Sequence, residues 1–267
     1  MKRQDLDTKD EMQHGIEKKR HGDTVPICGD YQYRALTGGN VVQRFWHYSK
    51  RLAIQKYLPP EPSDTILDAG CGSGVITSFL GESGAGVTGV DGNIEAIKFA
   101  DSAFRKENIN FRVGFVDEDI EIEHSFDKIY CLEVIEHIYY AQAKKMLKGF
   151  HKILKPDGKV FLTTPNYRSL WPLIEWTMDI FCMTPAFAEQ HVEFYHKRKL
   201  KDLCTEAGFK VRTVKTNCFI APWLAPLSWR FATKINDLEN RSSSGGSILI
   251  FVLEKQPDTS VSPVQSL

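Results

Sequence analysis

The chain has 267 residues, of which 42% are hydrophobic and 25% charged, and its formal net charge is zero. This length suffices for one large α/β core and leaves little chain for a second domain. A zero net charge provides no overall basic field of the kind that holds nucleic acid, so nucleic acid is not an expected partner. No uncharged apolar run reaches about 18 residues, so the sequence predicts no membrane-spanning helix.

The cysteines and the termini bear on compartment and domain organisation. The six cysteines include no Cys-x-x-Cys pair and several lie in apolar runs, which favours buried thiols in a reducing, cytoplasmic environment. The first residues are charged rather than apolar, so no signal peptide is predicted. Residues 1–40 are predicted to be a charged, partly disordered segment with a loop at 25–40. Residues 41–255 are predicted to form one domain and residues 256–267 a disordered tail.

The first predicted helix spans residues 41–58. Phe45, Leu52 and Tyr57 share one face at helical spacing, and prolines end the helix from position 59 onwards. The helix either packs on the edge of a sheet or places His47 toward a ligand site.

Residues 64–93 read as strand, turn, helix and strand, with an acid at the end of each strand. The first apolar run ends in Asp68 and the second ends in Asp91. Three glycines occupy alternate positions of the turn, namely Gly70, Gly72 and Gly74. In an open parallel sheet this edge binds ligands, and the second acid suits the two hydroxyls of a ribose. The helix amino end offers unpaired N–H groups to a carboxylate or phosphate.

Two other nucleotide-binding motifs can be compared with this turn. A P-loop requires Gly-Lys-Ser/Thr, which the turn lacks. A dinucleotide fingerprint requires a third glycine or alanine, and its two possible registers place Thr77 or Val75 there. The pattern therefore disfavours NAD and leaves Asp-x-Gly-x-Gly-x-Gly. An ordinary βαβ turn is the alternative without a ligand.

This turn resembles the first motif of the class I S-adenosylmethionine-dependent methyltransferases. The resemblance implies an α/β, Rossmann-like doubly wound fold with a mostly parallel seven-stranded sheet, and S-adenosyl-L-methionine as cofactor. It also implies that the glycine turn faces the methionine part and that Asp91 holds the ribose. The family commonly has Gly-Asp beside the adenine. This chain has Gly114-Phe115, so Val116 and Asp117 are the candidates there, with stacking by Phe115 as an alternative. The implied cofactor-binding residues are Asp68, Gly70, Cys71, Gly72, Gly74, Asp91, Gly92, Asn93, Val116, Asp117 and Leu132.

Later segments resemble the same family. Leu-Lys-Pro-Asp-Gly-Lys at 154–159 precedes a predicted strand at 160–164, and Thr-Thr-Pro-Asn at 163–166 matches the strand end of the ubiquinone-type subgroup. Ala-Gly-Phe at 207–209 is typical of the end of the family's last helix. A final strand at 247–254 is predicted to be antiparallel at the end of the sheet.

The segment after the predicted fourth strand has the form Glu-x-x-Glu-His. If it is helical, its two acids share a face. In the first interpretation the segment is family scaffold without a metal. In the second, His137 is a general base that takes a proton from an acceptor hydroxyl. In the third, the segment and a later histidine hold a divalent cation such as magnesium, which lowers the pKa of a bound hydroxyl.

The Glu-x-x-Glu-His form resembles two metal-using families, the ubiquinone-biosynthesis O-methyltransferases and the small-RNA 3′-terminal 2′-O-methyltransferases. In both, a histidine after the insertion reaches back to the acids. His191 occupies that position, and His196 is the second choice. The catalytic candidates are His137, Glu133 and Glu136. The implied metal ligands are Glu133, Glu136, His137 and His191.

Two apolar segments interrupt the second half of the chain. Residues 168–188, in an insertion spanning 168–190, are apolar over most of a helical circumference, and the ubiquinone-type enzymes carry an apolar insertion at this place. Residues 219–232 are apolar but broken by prolines. The segments predict either peripheral contact with a membrane or, for 168–188, a lid over the site or a dimer face.

The sequence thus predicts a methyltransferase that acts on a hydroxyl of a hydrophobic, quinone-like or lipid-linked small molecule. RNA 2′-O-methylation and methylation of a sugar or glycolipid are the alternative activities. A protein that binds S-adenosylmethionine without catalysis is the alternative from another class.

Overall fold

The computed structural model describes residues 28–117, 125–180 and 190–256, with the side chains of 177–180 excepted. Seven strands form one sheet in the order β3-β2-β1-β4-β5-β7-β6. Their bounds are β1 Thr65–Ala69, β2 Gly86–Asp91, β3 Ile109–Val113, β4 Phe126–Leu132, β5 Leu154–Pro165, β6 Phe209–Asn217 and β7 Ile248–Lys255. Strands β1 to β5 pair in parallel, and β7 pairs antiparallel with β5 and β6. The predicted doubly wound α/β fold with a mostly parallel sheet is confirmed.

Helices cover both faces of the sheet. They are α1 Tyr31–Thr37, α2 Val41–Tyr57, α3 Val75–Gly81, α4 Ile94–Phe104, α5 Tyr140–Ile153, α6 Trp171–Ile180, α7 Lys197–Glu206, α8 Ala221–Leu224 and α9 Trp229–Glu239. Because parallel strands are covered on both sides, they read as continuous apolar runs. In β1, Leu67 belongs to a core with α5 and α7, whereas its neighbour Ile66 belongs to a core with α2 and α3.

The chain direction determines where a ligand crevice lies. From β1 the sheet extends to β2 and β3 on one side and to β4 and β5 on the other. The connection after β1 therefore runs toward β2, whereas the connection after β4 runs the opposite way, toward β5. The carboxyl ends of β1 and β4 border the crevice between these connections.

Two predictions about elements are wrong. The predicted loop at 25–40 contains helix α1, whose residue Tyr33 has its backbone N–H 3.1 Å from the Ser73 hydroxyl, so tertiary contact with the glycine turn stabilises this short helix. The final strand β7 is antiparallel as expected, but it lies between β5 and β6 instead of at the end of the sheet.

The apolar segments and the termini are partly described. The insertion contains α6, and its residues 181–189 lie outside the described residues. So do residues 1–27 of the predicted segment 1–40 and residues 257–267 of the predicted tail 256–267. The segment 219–232 contains α8 and the start of α9, where the Ser228 hydroxyl accepts the helix-capping bond from Phe231 N. Within the described ranges, no helix has the length and apolar character needed to cross a bilayer.

Candidate active site

A cavity of about 820 Å³ opens at the carboxyl edge of the sheet. Its floor is formed by the turn after β1, the end of β2 and the segment after β4. Helices α1 and α2 contribute Tyr31, Gln32, His47 and Lys50 to its wall. All the sequence-predicted catalytic and metal-binding candidates line it, namely Glu133, Glu136, His137 and His191.

The glycine turn is held in a left-handed conformation. Gly70 and Gly74 have φ of 73° and 78°, which a residue with a Cβ adopts only with strain. A Cβ at Gly70 would also lie 2.3 Å from Cγ2 of Val134. The N–H groups of Gly70 and Cys71 donate to the carbonyl of Val90, at 2.8 and 3.1 Å. The turn after β1 is thereby fixed to the end of β2.

Asp91, the last residue of β2, organises the next part of the cavity. Its Oδ2 accepts from Gly72 N and its Oδ1 accepts from Asn93 N, both at 2.8 Å. Asn93 in turn caps α4, because its side-chain oxygen accepts from the N–H groups of Glu95 and Ala96. These bonds hold the Asp91 carboxylate at the cavity wall, the position predicted for a ribose ligand.

Asp68 occupies a different place from Asp91. It is 2% exposed and accepts a 2.6 Å hydrogen bond from the Thr77 hydroxyl. Burial raises its pKa to about 7. Asp68 therefore supports the glycine turn from the side that faces away from the cavity. Four of the predicted cofactor-binding residues stand behind the cavity wall and do not line it, namely Asp68, Cys71, Gly74 and Leu132. The remaining seven do line it.

The predicted adenine side lies beside β3. Gly114, Phe115, Val116 and Asp117 all line the cavity. The Phe115 ring is 57% exposed and packs against Gly92, where an added Cβ would come within 2.3 Å of it. Phe115 thus presents an aromatic face at the cavity rim, which is compatible with the stacking alternative.

The Glu-x-x-Glu-His segment is not an α-helix. Glu133 has φ of 56°, and Ile135–His137 form a single 3₁₀ turn. Potential ligand atoms of Glu136, His137 and His191 lie within 4.8 Å of one another. Within the described residues this cluster contains three of the four predicted ligands, and Glu133 lies outside it.

Glu133 differs because Lys50 holds it. Lys50 Nζ lies 2.6 Å from Glu133 Oε2, and the lysine side chain is 9% exposed. Glu133 has a left-handed backbone, and its carboxylate pairs with this lysine of α2. This ion pair was not predicted. The sequence feature that could have indicated it is the spacing of His47 and Lys50. These residues are three apart and share one helix face, so a helix that places His47 toward the site also places Lys50 there.

Glu136 is the buried carboxylate of the cluster. It is 1% exposed, and its Oε2 accepts from the Thr164 hydroxyl at 2.9 Å. Burial raises its pKa to about 7. Its backbone carbonyl accepts from the N–H groups of Val192 and Glu193. These two bonds place His191, the residue directly before Val192, beside the 3₁₀ turn.

The hydrogen bonds of the two histidines define their tautomers. His137 Nδ1 lies 3.0 Å from the backbone carbonyl of Gln190, which can only accept, so Nδ1 carries the proton. Burial lowers the pKa of His137, so the ring is neutral near pH 7 with its lone pair on Nε2. His191 Nδ1 lies 2.9 Å from Glu175 Oε1 and 2.8 Å from the Tyr167 hydroxyl. A neutral His191 that donates to this carboxylate also carries its lone pair on Nε2.

Helix α2 packs on the sheet through Ala53 and Ile54, and His47 of the same helix lines the cavity, so the helix has both of the predicted placements. Burial, followed by the charges of Lys50 and Arg51, lowers its pKa well below the usual value. The ring is therefore a neutral polar group on the wall above the Lys50–Glu133 pair.

Comparison with known proteins identifies the family. A family model described as a methyltransferase domain matches residues 42–214. The chain belongs to the methyltransferase family. The glycine turn, the acid after β2 and the seven-stranded sheet are those of its S-adenosylmethionine-dependent class I members.

Curated methyltransferases with similar sequences include two named ubiquinone biosynthesis O-methyltransferase. The protein from Coxiella burnetii (strain Dugway 5J108-111) is 29% identical over 152 residues, which cover 55% of this chain and 63% of that protein. The mitochondrial protein from Rattus norvegicus is 30% identical over 179 residues, which cover 64% of this chain and 51% of that protein. The chain thus matches only about half to just under two thirds of their length.

Solved methyltransferase structures share the fold. One is a possible histamine N-methyltransferase from Thermotoga maritima, with a TM-score of 0.62 and 19% identity over 85% of this chain and 95% of that chain. Another is geranyl diphosphate C-methyltransferase from Streptomyces coelicolor A3(2), with a TM-score of 0.59 and 14% identity over 86% of this chain and 87% of that chain. At these identities the likeness concerns the fold alone.

Proposed function

We propose that this protein transfers the methyl group of S-adenosylmethionine to a hydroxyl of a hydrophobic, quinone-like small molecule. The observation that carries the proposal is the neutral His137 ring, which lines the cofactor cavity. Its proton is on Nδ1 and its lone pair is on Nε2. A base in this state accepts the proton of a hydroxyl as its oxygen attacks the sulfonium methyl group. An acceptor that attacks through an already deprotonated carbon atom would need no such base.

The cofactor is placed by the residues at the sheet edge. Asp91 would accept hydrogen bonds from the ribose hydroxyls, the Gly70–Gly72 turn would admit the methionine part, and Val116 and Asp117 would border the adenine. Holding the methyl group and the acceptor oxygen in line supplies a large part of the rate enhancement in such a transfer.

The character of the acceptor is supported by the apolar part of the cavity lining. There the apolar side chains of Val134, Ile138, Met146 and Trp171 line the same space as His137. Such a wall favours a ring or a chain over a sugar, and it agrees with the names of the curated relatives.

Glu136, His137 and His191 have the features of a cation site. Metal-binding histidines usually donate their second N–H to a carbonyl or a carboxylate, as His137 does to Gln190 and His191 does to Glu175. A buried carboxylate whose pKa is about 7 also gains from an adjacent positive charge. One oxygen and two nitrogens suit manganese, iron or zinc better than magnesium, which prefers oxygen ligands. We therefore propose that these three residues hold a divalent transition-metal ion.

A bound cation would lower the pKa of a coordinated acceptor hydroxyl. With the cation bound, the Nε2 lone pair of His137 would be a ligand, and the hydroxyl would lose its proton to water. Without the cation, His137 would accept that proton itself. In either state Glu136 would balance charge, and the Glu175 carboxylate and the Tyr167 hydroxyl would orient His191.

Two exposed apolar surfaces support contact with a membrane, where a lipid-tailed acceptor would reside. Trp223 and Leu227 beside α8 are 50% and 82% exposed, and Leu173 and Trp176 on α6 are 57% and 60% exposed. Adjacent residues of α2 connect the two surfaces to the site. Phe45 packs on Trp229 with ring centroids 5.0 Å apart, and Trp46 packs on Trp171 at 5.4 Å. We propose that both surfaces lie on lipid, which makes the protein peripheral on a membrane.

The test uses methyl-labelled S-adenosylmethionine and a cell extract that is separated afterwards into lipid, water-soluble and RNA fractions. We expect label in the lipid fraction, lost with a chelator and restored by manganese. Label in lipid that resists the chelator would retain the acceptor class and remove the cation. Label confined to RNA would favour 2′-O-methylation, label in water-soluble sugars would favour that alternative, and cofactor binding without transfer would indicate a binding protein.

A further inference from the structure

The Lys50–Glu133 pair has hydrogen-bonding capacity that the described residues do not use. An ammonium group has three N–H donors. Within the described part of the chain, Lys50 Nζ makes one recorded hydrogen bond, to Glu133 Oε2. Glu133 Oε1 is buried and has no hydrogen-bond partner among the described residues. Leaving such groups unpaired costs free energy, so a ligand that satisfies both is strongly favoured there.

The pair lies on the methionine side of the cofactor site. Val134, the residue after Glu133, packs directly against Gly70 of the turn. Asp91 ends β2, Gly70 follows β1 and Glu133 follows β4, and these strands are neighbours in that order. Two interstrand spacings separate β2 from β4 by about 10 Å. A cofactor whose ribose is at Asp91 and whose chain crosses Gly70 therefore ends at Glu133 and Lys50.

The charges match the end of that cofactor. The methionine part of S-adenosylmethionine carries a carboxylate and an ammonium group on one carbon. We propose that Lys50 donates to this carboxylate and that Glu133 Oε1 accepts from the ammonium group. A neutral ion pair thereby binds a neutral zwitterion and no uncompensated charge is buried, whereas an anionic acceptor would add negative charge beside Glu133 and Glu136.

This assignment gives Glu133 a role in cofactor binding and separates it from the cluster of Glu136, His137 and His191. The assignment concerns the cofactor alone, so it does not depend on the identity of the acceptor or of the cation.

The test measures affinity by titration calorimetry for S-adenosylmethionine and for decarboxylated S-adenosylmethionine, which lacks only the carboxylate. We expect Lys50→Met to weaken binding of the first by about tenfold or more, and of the second by less than about twofold. Lys50→Arg keeps the charge and should stay within a few-fold of the unchanged protein. Lys56→Met is the matched control, because Lys56 lies on the same helix but pairs with Asp237 outside the cavity.

Glu133→Gln conserves volume and provides an independent comparison. It should weaken both of those ligands, since each retains the ammonium group, but should leave binding of 5′-methylthioadenosine, which has no amino-acid part, unchanged. Equal losses for the two ligands with Lys50→Met, or no loss for either, would overturn the assignment of Lys50. An equal loss for methylthioadenosine with Glu133→Gln would overturn that of Glu133. The failure of the proposed acceptor would change none of these affinities.

Discussion

His137 Nδ1 lies 3.0 Å from the carbonyl oxygen of Gln190, a residue 53 positions later in the chain. This single bond determines which ring nitrogen carries the proton and which one has a lone pair. Because the ring is also buried, its pKa is lowered and it remains neutral near pH 7. The chemistry of the proposed base thus depends on a backbone carbonyl that only the folded chain brings beside it.

Replacing His137 should therefore remove the base. His137→Gln is expected to lower the rate of methyl transfer by a factor of about 10² to 10⁴, the usual contribution of a positioned base. With His137 intact, activity should decline only as pH falls below about 6.5, because the pKa of the folded histidine lies below that of the free side chain. The measurement is initial rate against pH. His196→Gln is the control, since His196 caps α7 outside the cavity and should retain activity. A fully active His137→Gln protein would exclude the base.

The glycine turn offers a matched pair of substitutions. Gly70 and Gly245 both have positive φ, but a Cβ at Gly70 meets Val134 at 2.3 Å whereas nothing lies within 4 Å at Gly245. Gly245→Ala should cost about 1–2 kcal/mol of the free energy of unfolding from backbone strain alone. Gly70→Ala should cost clearly more and weaken cofactor binding. Urea denaturation and calorimetry measure the two effects, and equal costs would show that the contact with Val134 relaxes freely.

Asp68 should make stability depend on pH. Its pKa is raised to about 7 by burial, so folding favours the protonated form. The stability that it contributes is complete below the pKa of the unfolded chain, near 4, and is lost as pH rises through about 7. The loss is at most about 4 kcal/mol. Asp68→Asn should flatten this part of the curve of melting temperature against pH, whereas Asp157→Asn, at an exposed position of β5, should not. An unchanged curve for Asp68→Asn would contradict the shift.

The cation cluster predicts an order of ligand importance. Manganese affinity, measured by titration calorimetry, should rise as pH increases through about 7, because Glu136 must lose its proton to bind. Glu136→Gln should weaken binding by about tenfold or more. Glu133→Gln should weaken it less, since Lys50 already holds that carboxylate. A larger loss of manganese affinity for Glu133→Gln than for Glu136→Gln would restore Glu133 as a ligand. If neither the original protein nor any variant bound manganese, the cation would be removed from the proposal.

The exposed apolar surface beside α8 should bind lipid. The double substitution Trp223→Ser and Leu227→Ser is expected to reduce sedimentation with liposomes, because both side chains would enter the interface. Ile94→Ser with Val113→Ser is the control, since these two residues are also about half exposed but belong to α4 and β3, on the opposite half of the sheet. Unchanged sedimentation, or no binding by the original protein, would exclude this surface as a membrane contact.

The fold could be predicted because its signals are local. Apolar runs of strand length, glycines at alternate positions and an acid after each strand are all contained in residues 64–93, and they are decided by backbone geometry and by which residues tolerate positive φ. The same kind of local signal identified Asp91 and the Glu-x-x-Glu-His segment. The short helix α1 was missed because tertiary contacts stabilise it, among them those of Tyr33 with Ser73, Phe99 and Phe104.

The sequence by itself determined the fold, the cofactor and the residue types at the sheet edge. The tertiary structure decided which of them act. Asp68 and Asp91 have equivalent positions in the pattern, yet one is buried beneath the turn and the other faces the cavity. Lys50 reaches Glu133 across 83 residues, and Glu175 reaches His191 from an inserted helix. Such pairs arise from the packing of α2 on the sheet and of α6 on α2, where Trp171 contacts Trp46. Packing joins side chains that are distant in the chain, and no local pattern encodes it.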